Sequence, residues 1–247
     1  MKIVFQKNKK LAFENFYNQL KFQRIYPSPL DSFDIPEQLV KQAERLRDLK
    51  IKKFNNTQKE SYKKIVAKHN ELWNWYSKDL NTVARLLKIQ TQLRQWLKTQ
   101  IPGQTKINWP YNEVFIFPAI RNWASQNGNK IALGIRPNHL LKELDISLII
   151  HELIHVNTES ILTKKLKFSR DSNEITATLL TRKITKKINQ KFRMKVFPQE
   201  FAVPFRHLEK YNEQLKHLAD NVNSYKDLVV KVDDFLTKIN HQTHYTI

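Results

Sequence analysis

The sequence predicts an α+β fold that is predominantly helical, with a small sheet confined to the middle of the chain. Three observations carry that prediction. The 247 residues include only three glycines, Gly103, Gly128 and Gly134, all between 100 and 135. Glycine marks turns and close backbone approaches, so irregular and strand-bearing structure is expected there. Outside that window, apolar residues recur at helical spacing. Inside it, two short runs are rich in β-branched and aromatic residues.

The elements follow in order. Residues 9–24 place Leu11, Phe13, Phe16, Tyr17, Leu20 and Phe22 near helical spacing. A proline-rich linker spans 26–36 and leaves the first helix the segment most easily displaced, and that helix is expected to pack across the core formed by residues 103–247 and to restrict access to its site. The next helix is expected with Asp34 as N-cap and Pro36 in its first turn, running to about Phe54. From Thr57 to Gln100 no proline or glycine interrupts an apolar stripe reaching from Tyr62 to Leu97. That predicts one long helix, or two broken near 79–81, with Trp73, Trp75 and Trp96 as core rings rather than base-stacking platforms. Residues 113–117 and 130–135 read as strands, with a turn at 125–129. Pro137 and Asn138 then introduce a helix over 139–160. Another spans 171–193, capped by Asp171 or Ser172, and helices over about 205–220 and 223–240 close the chain. We expect an N-terminal helical region at 1–102 and a catalytic domain at 103–247.

Composition narrows the classes. With no cysteine, disulfides and thiolate metal ligands are impossible, so any metal must be held by His, Asp or Glu. No run reaches the ~18 apolar residues of a membrane span, and the first residues lack a signal-type apolar stretch. The expectation is a cytoplasmic protein without a membrane span. The formal charge of +20 admits a nucleic-acid partner. The basic residues are spread along the chain without a block of five, so the pattern does not favour one.

The chemistry concentrates in Ile149-Ile150-His151-Glu152-Leu153-Ile154-His155-Val156. On a helix, residues i and i+4 share a face, so His151 and His155 can converge on one metal ion. Glu152, rotated about 100° from His151, can instead reach a water on that metal. The apolar flanks make this a buried helix, where unpartnered polar groups are costly. A catalytic zinc takes three protein ligands and one water, whose proton a neighbouring carboxylate accepts as the water attacks a carbonyl. Downstream candidates for the third ligand are Glu159, Asp171, Glu174 and His207. Glu159 would have to reach back along its own helix. Glu174 opens the next helix, from which it can stand beside the metal, and eighteen residues separate it from His155.

The pattern H-E-x-x-H-x18-E resembles the gluzincin group of zinc metallopeptidases, whose third ligand is a glutamate on the helix after the motif helix. The resemblance covers roughly residues 110–195 and rests on His151, Glu152, His155 and Glu174. Metzincins differ, because they carry a third histidine and a glycine soon after the motif. The resemblance implies a zincin-like catalytic core with an active-site helix carrying HExxH. It also implies Zn²⁺ as cofactor, Glu152 as catalytic base, and a peptide or protein as substrate. An edge strand above the cleft, here expected at Ala132, Leu133 and Gly134, would pair with the substrate backbone. Many gluzincins place an aspartate four residues after the ligand glutamate to orient the first histidine. Thr178 stands there, so that role is expected to pass to Thr178, Asp171 or a backbone carbonyl. By position along the chain, His207 and Tyr211 are the candidate donors to the oxyanion. The expected function is a zinc-dependent metallopeptidase, an endopeptidase rather than an aminopeptidase, since G-x-M-E-N is missing. The alternatives are a non-catalytic zinc-binding protein and a basic helical nucleic-acid-binding protein.

Overall fold

A four-stranded mixed sheet separates the helices into two layers. The computed structural model describes residues 1–22, 33–89, 91–121, 124–135, 144–162, 169–198, 200–201 and 203–244. The strands are β1 (Lys2–Phe5), β2 (Glu113–Ile120), β3 (Ser125–Asn127) and β4 (Lys130–Ile135), in the order β1-β2-β4-β3. β1 and β4 both pair parallel to β2, and β3 pairs antiparallel to β4. Gly128, at φ +56°, makes the tight β3–β4 turn, a conformation glycine takes at no steric cost.

Alternation along the strands builds the layers. Phe117, Ala119 and Ala132 face α1 (Lys9–Phe22), where Leu11 packs on them. Behind α1 lie α2 (Glu37–Arg45) and the first half of α3 (Asn56–Ile89), sharing Phe16, Leu20, Leu46, Ile65 and Trp73. Val114, Ile116, Ile131 and Leu133 face the opposite side. There they join α4 (Thr91–Thr105), α5 (Leu144–Leu162), α6 (Arg170–Phe192) and α8 (Tyr225–His244) in one core. A 3₁₀ segment, Val203–Tyr211, leads into α7 (Asn212–Asp220). The chain is thus mostly helical with a small mixed sheet, as the α+β reading expects. Among the described residues no helix is long and apolar enough to cross a membrane.

Several expectations change. β1 was not anticipated, and its pairing draws Ile3 into the same core as Leu93, Leu97 and Ile101 of α4. Residues before and after 102 thus share one core. α1 lies on the sheet face away from α5, so it is a layer of the core rather than a cover over the motif helix. α2 starts after Pro36, because the residue before a proline is pushed toward extended backbone, and it ends at Arg45 instead of about Phe54. α3 runs helical through 79–81, where polar residues alone cost too little to break a helix. α4 continues through Pro102 to Thr105. The carbonyl of Lys98, deprived of a partner by that proline, accepts a hydrogen bond from Trp109 Nε1 at 2.9 Å. Ser169, one turn ahead of the expected caps, accepts from the Ser172 amide at 3.1 Å and starts α6. The expected helix start at 139–143 and most of the proline-rich linker lie outside the described residues.

Candidate metal centre

Helix α5 is buried on nearly all sides, through Ile150, Leu153, Ile154 and Val156, each 0 % exposed. Burial of such side chains contributes about 1.5–3 kcal/mol each, which fixes the helix against the sheet and α6. Its rotation is set by a polar anchor. The buried Asn157 accepts from Thr105 Oγ1 at 2.6 Å and donates through Nδ2 to the Ile107 carbonyl at 3.0 Å. These bonds tie the middle of α5 to the end of α4. They leave His151 and His155 on the α6 side, where Glu174 meets them.

The three side chains converge. His151 Nε2 and His155 Nε2 are 2.9 Å apart. Glu174 Oε2 is 3.3 Å from the first and 3.5 Å from the second. No other group of three or more His, Asp or Glu side chains among the described residues gathers ligand atoms this closely. Zinc–ligand bonds of about 2.0–2.1 Å in a tetrahedron require ligand–ligand edges of about 3.3–3.4 Å. The observed triangle scatters around that value. Two neutral imidazoles and a carboxylate are also a donor set that zinc accepts, so the residues fit the ion.

Electrostatics agree with this arrangement. Burial works to raise the Glu174 carboxyl, but hydrogen bonding and charge from His151 and His155 outweigh it and hold the group well below the usual carboxylate range. Glu152 behaves oppositely. It is 8 % exposed, and burial pushes its carboxyl up, aided by the charge of Glu174 and opposed by His151, His155 and Arg121. One carboxylate is therefore held ionised, as a metal ligand must be, while its neighbour is pushed toward the protonated form.

The chain matches no family model, no curated protein and no solved structure. Its chemistry must be read from its own residues.

The structure brings together His151, His155 and Glu174, with the buried Glu152 directly after His151 on α5, but not the other expected site residues. Of the alternative third ligands, Asp171 and His207 are exposed and belong to no such cluster. Glu159 lies on α5, outside the residues with described side chains. His207 and Tyr211 lie on the 3₁₀ segment, and the Tyr211 ring stacks edge-on to Phe235 at 5.5 Å. Neither has a hydrogen bond or ring contact to the triad or to Glu152 among the described residues. The 3₁₀ segment instead meets α6 through the Arg182–Glu209 ion pair at 2.8 Å, two turns beyond Glu174, and α8 through the Tyr211 and Phe235 rings. Ala132 is not on an edge, since β3 pairs with Lys130–Ala132. The edge beside α5 is β3 itself, and Leu133 and Gly134 continue beyond its last pair. Thr178 donates to the Glu174 backbone carbonyl at 2.9 Å and does not orient His151. The Nδ1 atom of His151 is buried without a partner.

Two residues near the site were not anticipated. Tyr225 opens α8 fully buried, and its hydroxyl donates to the Asn173 carbonyl at 3.4 Å, beside Glu174. Burial and the Glu174 charge push its phenol upward, so it braces the ligand helix and holds its proton. Arg121, directly after β2, is 2 % exposed and feels the charge of Glu152. Neither carries a local sequence signal, because both reach the site only through tertiary packing.

Proposed function

We propose that the chain is a zinc-dependent metallopeptidase with a zincin-like catalytic core, acting on peptide or protein substrates in the cytoplasm. The observation that supports this best is the triangle of His151, His155 and Glu174 with the buried carboxyl of Glu152 next to it. A bound zinc supplies Lewis acidity and lowers the pKa of a coordinated water toward about 7. The chain's residues do the rest. His151, His155 and Glu174 would hold the ion. A carboxylate oxygen of Glu152 takes the proton of the attacking water and returns it to the leaving amine. Burial of Glu152 favours that proton acceptance, because a desolvated carboxylate is the more avid base.

An extended peptide can add to the sheet only where an edge is free. Among the described residues the sheet ends at β1 and at β3, and the β3 edge, residues Ser125–Asn127, is the one that packs beside α5. Binding along such an edge does not require a free peptide terminus, which is why we favour an endopeptidase.

The test separates metal binding from chemistry. Glu152→Gln keeps size and shape but cannot accept the proton. Purified wild type should hold about one zinc, and the variant should hold the same amount. Peptidase activity on a sensitive peptide library should fall by about 10²-fold or more. Zinc well under half an equivalent, or activity that survives the substitution, overturns the reading.

A further inference from the structure

We propose that the basic face of α6, with the loop that folds back on it, is a binding surface for single-stranded nucleic acid. This site does not depend on the peptidase reading. Along the chain the 43 lysines and arginines are dispersed, but the fold concentrates some of them. Between Glu174 and Glu200 there is no acidic residue, while seven lysines and arginines fall in that stretch. Ile184 and Ile188 bury one side of α6, whereas Lys186 and Lys191 are exposed and Lys187 is half-buried. α6 ends at Arg193, whose left-handed φ of +52° reverses the chain. The Asn189 side chain then clamps the returning segment. Its Nδ2 donates to the Val196 carbonyl and its Oδ1 accepts from the Val196 amide, each at 2.8 Å. Lys195 and Phe197 are thereby held alongside the last turns of α6.

Phe197 is 50 % exposed, and no other aromatic ring is exposed among the described residues. Lys195 Nζ lies 5.8 Å from its centroid. An open groove of about 800 Å³ begins at Pro198, next to this ring. Its cations come from three elements: Arg182, Lys183 and Lys186 of α6, Arg206 of the 3₁₀ segment, and Lys216 of α7. Glu209, at 2.8 Å, and Asn212, at 2.6 Å, fix Arg182. Lys186 and Arg206 have no hydrogen bond or ion pair among the described residues. Cations on both walls suit a chain of phosphates, whose counterions they release on binding. An exposed ring beside them suits an unpaired base, because every base has a π-face to stack. The groove also holds Glu200 and Asp220, neither paired with a cation among the described residues. These carboxylates repel a bare phosphate but can accept from the amino groups of bases, which pairing in a duplex engages. A lipid surface offers the charge without the bases.

The test is fluorescence anisotropy with the full chain and labelled oligo-dT and oligo-U of about 15 nucleotides, beside a duplex of the same length. A single strand should bind with a Kd of about 10 µM or tighter at about 0.1 M salt, and more tightly than the duplex. Binding of either strand supports the proposal, and the tighter one identifies the sugar. Replacing Lys186, Lys187 and Lys191 together by glutamine should weaken binding about ten-fold or more. It should also flatten the slope of log Kd against log salt by about 2, since each phosphate contact contributes about 0.7. Phe197→Ala should weaken binding about five-fold or more and leave the slope unchanged. A control replaces Lys50, Lys52 and Lys53, exposed after α2 in the other layer, by glutamine. It removes the same charge and should change Kd by less than about two-fold. Equal losses in the two triple variants overturn the proposal, because net charge alone then does the binding. So do wild-type affinity in Phe197→Ala, a duplex bound as tightly as the single strand, and binding to phosphatidylserine vesicles but to neither oligonucleotide. Circular dichroism checks that each variant is folded. If the Lys186, Lys187 and Lys191 triple is not, the three single replacements decide, and unchanged affinity in all of them overturns the proposal.

Discussion

Replacing Glu174 by alanine tests the metal centre most directly. The substitution removes one corner of a triangle whose edges are 2.9, 3.3 and 3.5 Å, leaving two imidazoles. Alanine is the right choice, because a glutamine would still present an oxygen. An ion that binds only the folded chain stabilises it by RT ln(1 + [Zn]/Kd), which is about 4 kcal/mol at a thousand-fold excess over Kd. For a chain of this length that raises Tm by about 8–16 °C. Outer partners of metal ligands are worth up to about 100-fold in affinity, so losing a ligand costs at least that. A 100-fold weaker site gives up about 2.7 kcal/mol of the stabilisation, or about 5–11 °C of the rise. The assay is Tm with chelator and with a fixed free zinc concentration, for wild type and Glu174→Ala. Each protein's chelator value is its own baseline, so any effect of the substitution on the apo fold cancels. An equal zinc-induced rise in both proteins would falsify the assignment of Glu174 as a ligand.

Two further outcomes follow from the fold. Asn157→Ala strands the buried Thr105 hydroxyl and the Ile107 carbonyl, and should lower stability by about 2–3 kcal/mol, measured by urea unfolding of the apo protein. An effect under about 0.5 kcal/mol would show that α5 is not anchored this way. Removing residues 1–22 deletes β1 and α1, hence the pairing along β2 and the buried Ala12, Phe16 and Leu20. The truncated chain should lose cooperative unfolding by circular dichroism, and a stable, more active product would contradict the two-layer arrangement.

The clustering of His151, His155 and Glu174 was legible in the sequence because its geometry is local. A four-residue spacing on one helix fixes the common face of His151 and His155, and Glu174 needs only to open the next helix. The sheet was half legible. β2 and β4 are strongly apolar, whereas β3 is Ser-Gln-Asn, with no strand propensity, and exists because β4 offers it a partner. Without β3, residues 132–134 read as an edge. β1 is four residues long, and its pairing with β2 spans more than a hundred positions of sequence. Arg121 was invisible for a different reason. It is one of 43 lysines and arginines, and nothing nearby in sequence distinguishes it as the one Lys or Arg that is buried among the described residues.

His69 gives the α1–α3 layer a pH dependence of its own. It sits on α3 at 1 % exposure, with ring centroids of Phe13, Phe16 and Trp73 at 5.2, 5.4 and 5.9 Å. Its Nε2 is buried without a partner. Burial, followed by the charge of Lys9, pulls its pKa down to about 4. An unfolded chain holds it near about 6.5. Above that value neither state is protonated, and the stability of the aromatic packing is intact. As pH falls below it, the unfolded state takes up a proton that the folded state refuses, and stability is lost until the folded value is passed. At pH 5 the loss is at most about 2 kcal/mol. Glu174 is also held low, but a depressed carboxylate gives up its stability only as pH falls below the ordinary carboxylate value, so a comparison between pH 7.5 and 5.0 largely isolates the imidazole. The measurement is the change in unfolding free energy between those two pH values, in urea with chelator, for wild type and His69→Phe. Phenylalanine keeps an aromatic ring in the box and cannot titrate, and any repacking cost appears at both pH values and cancels. Wild type should lose about 2 kcal/mol more than the variant over that interval. Equal losses would mean that the box admits a protonated imidazole, and that Phe13, Phe16 and Trp73 do not exclude water from it.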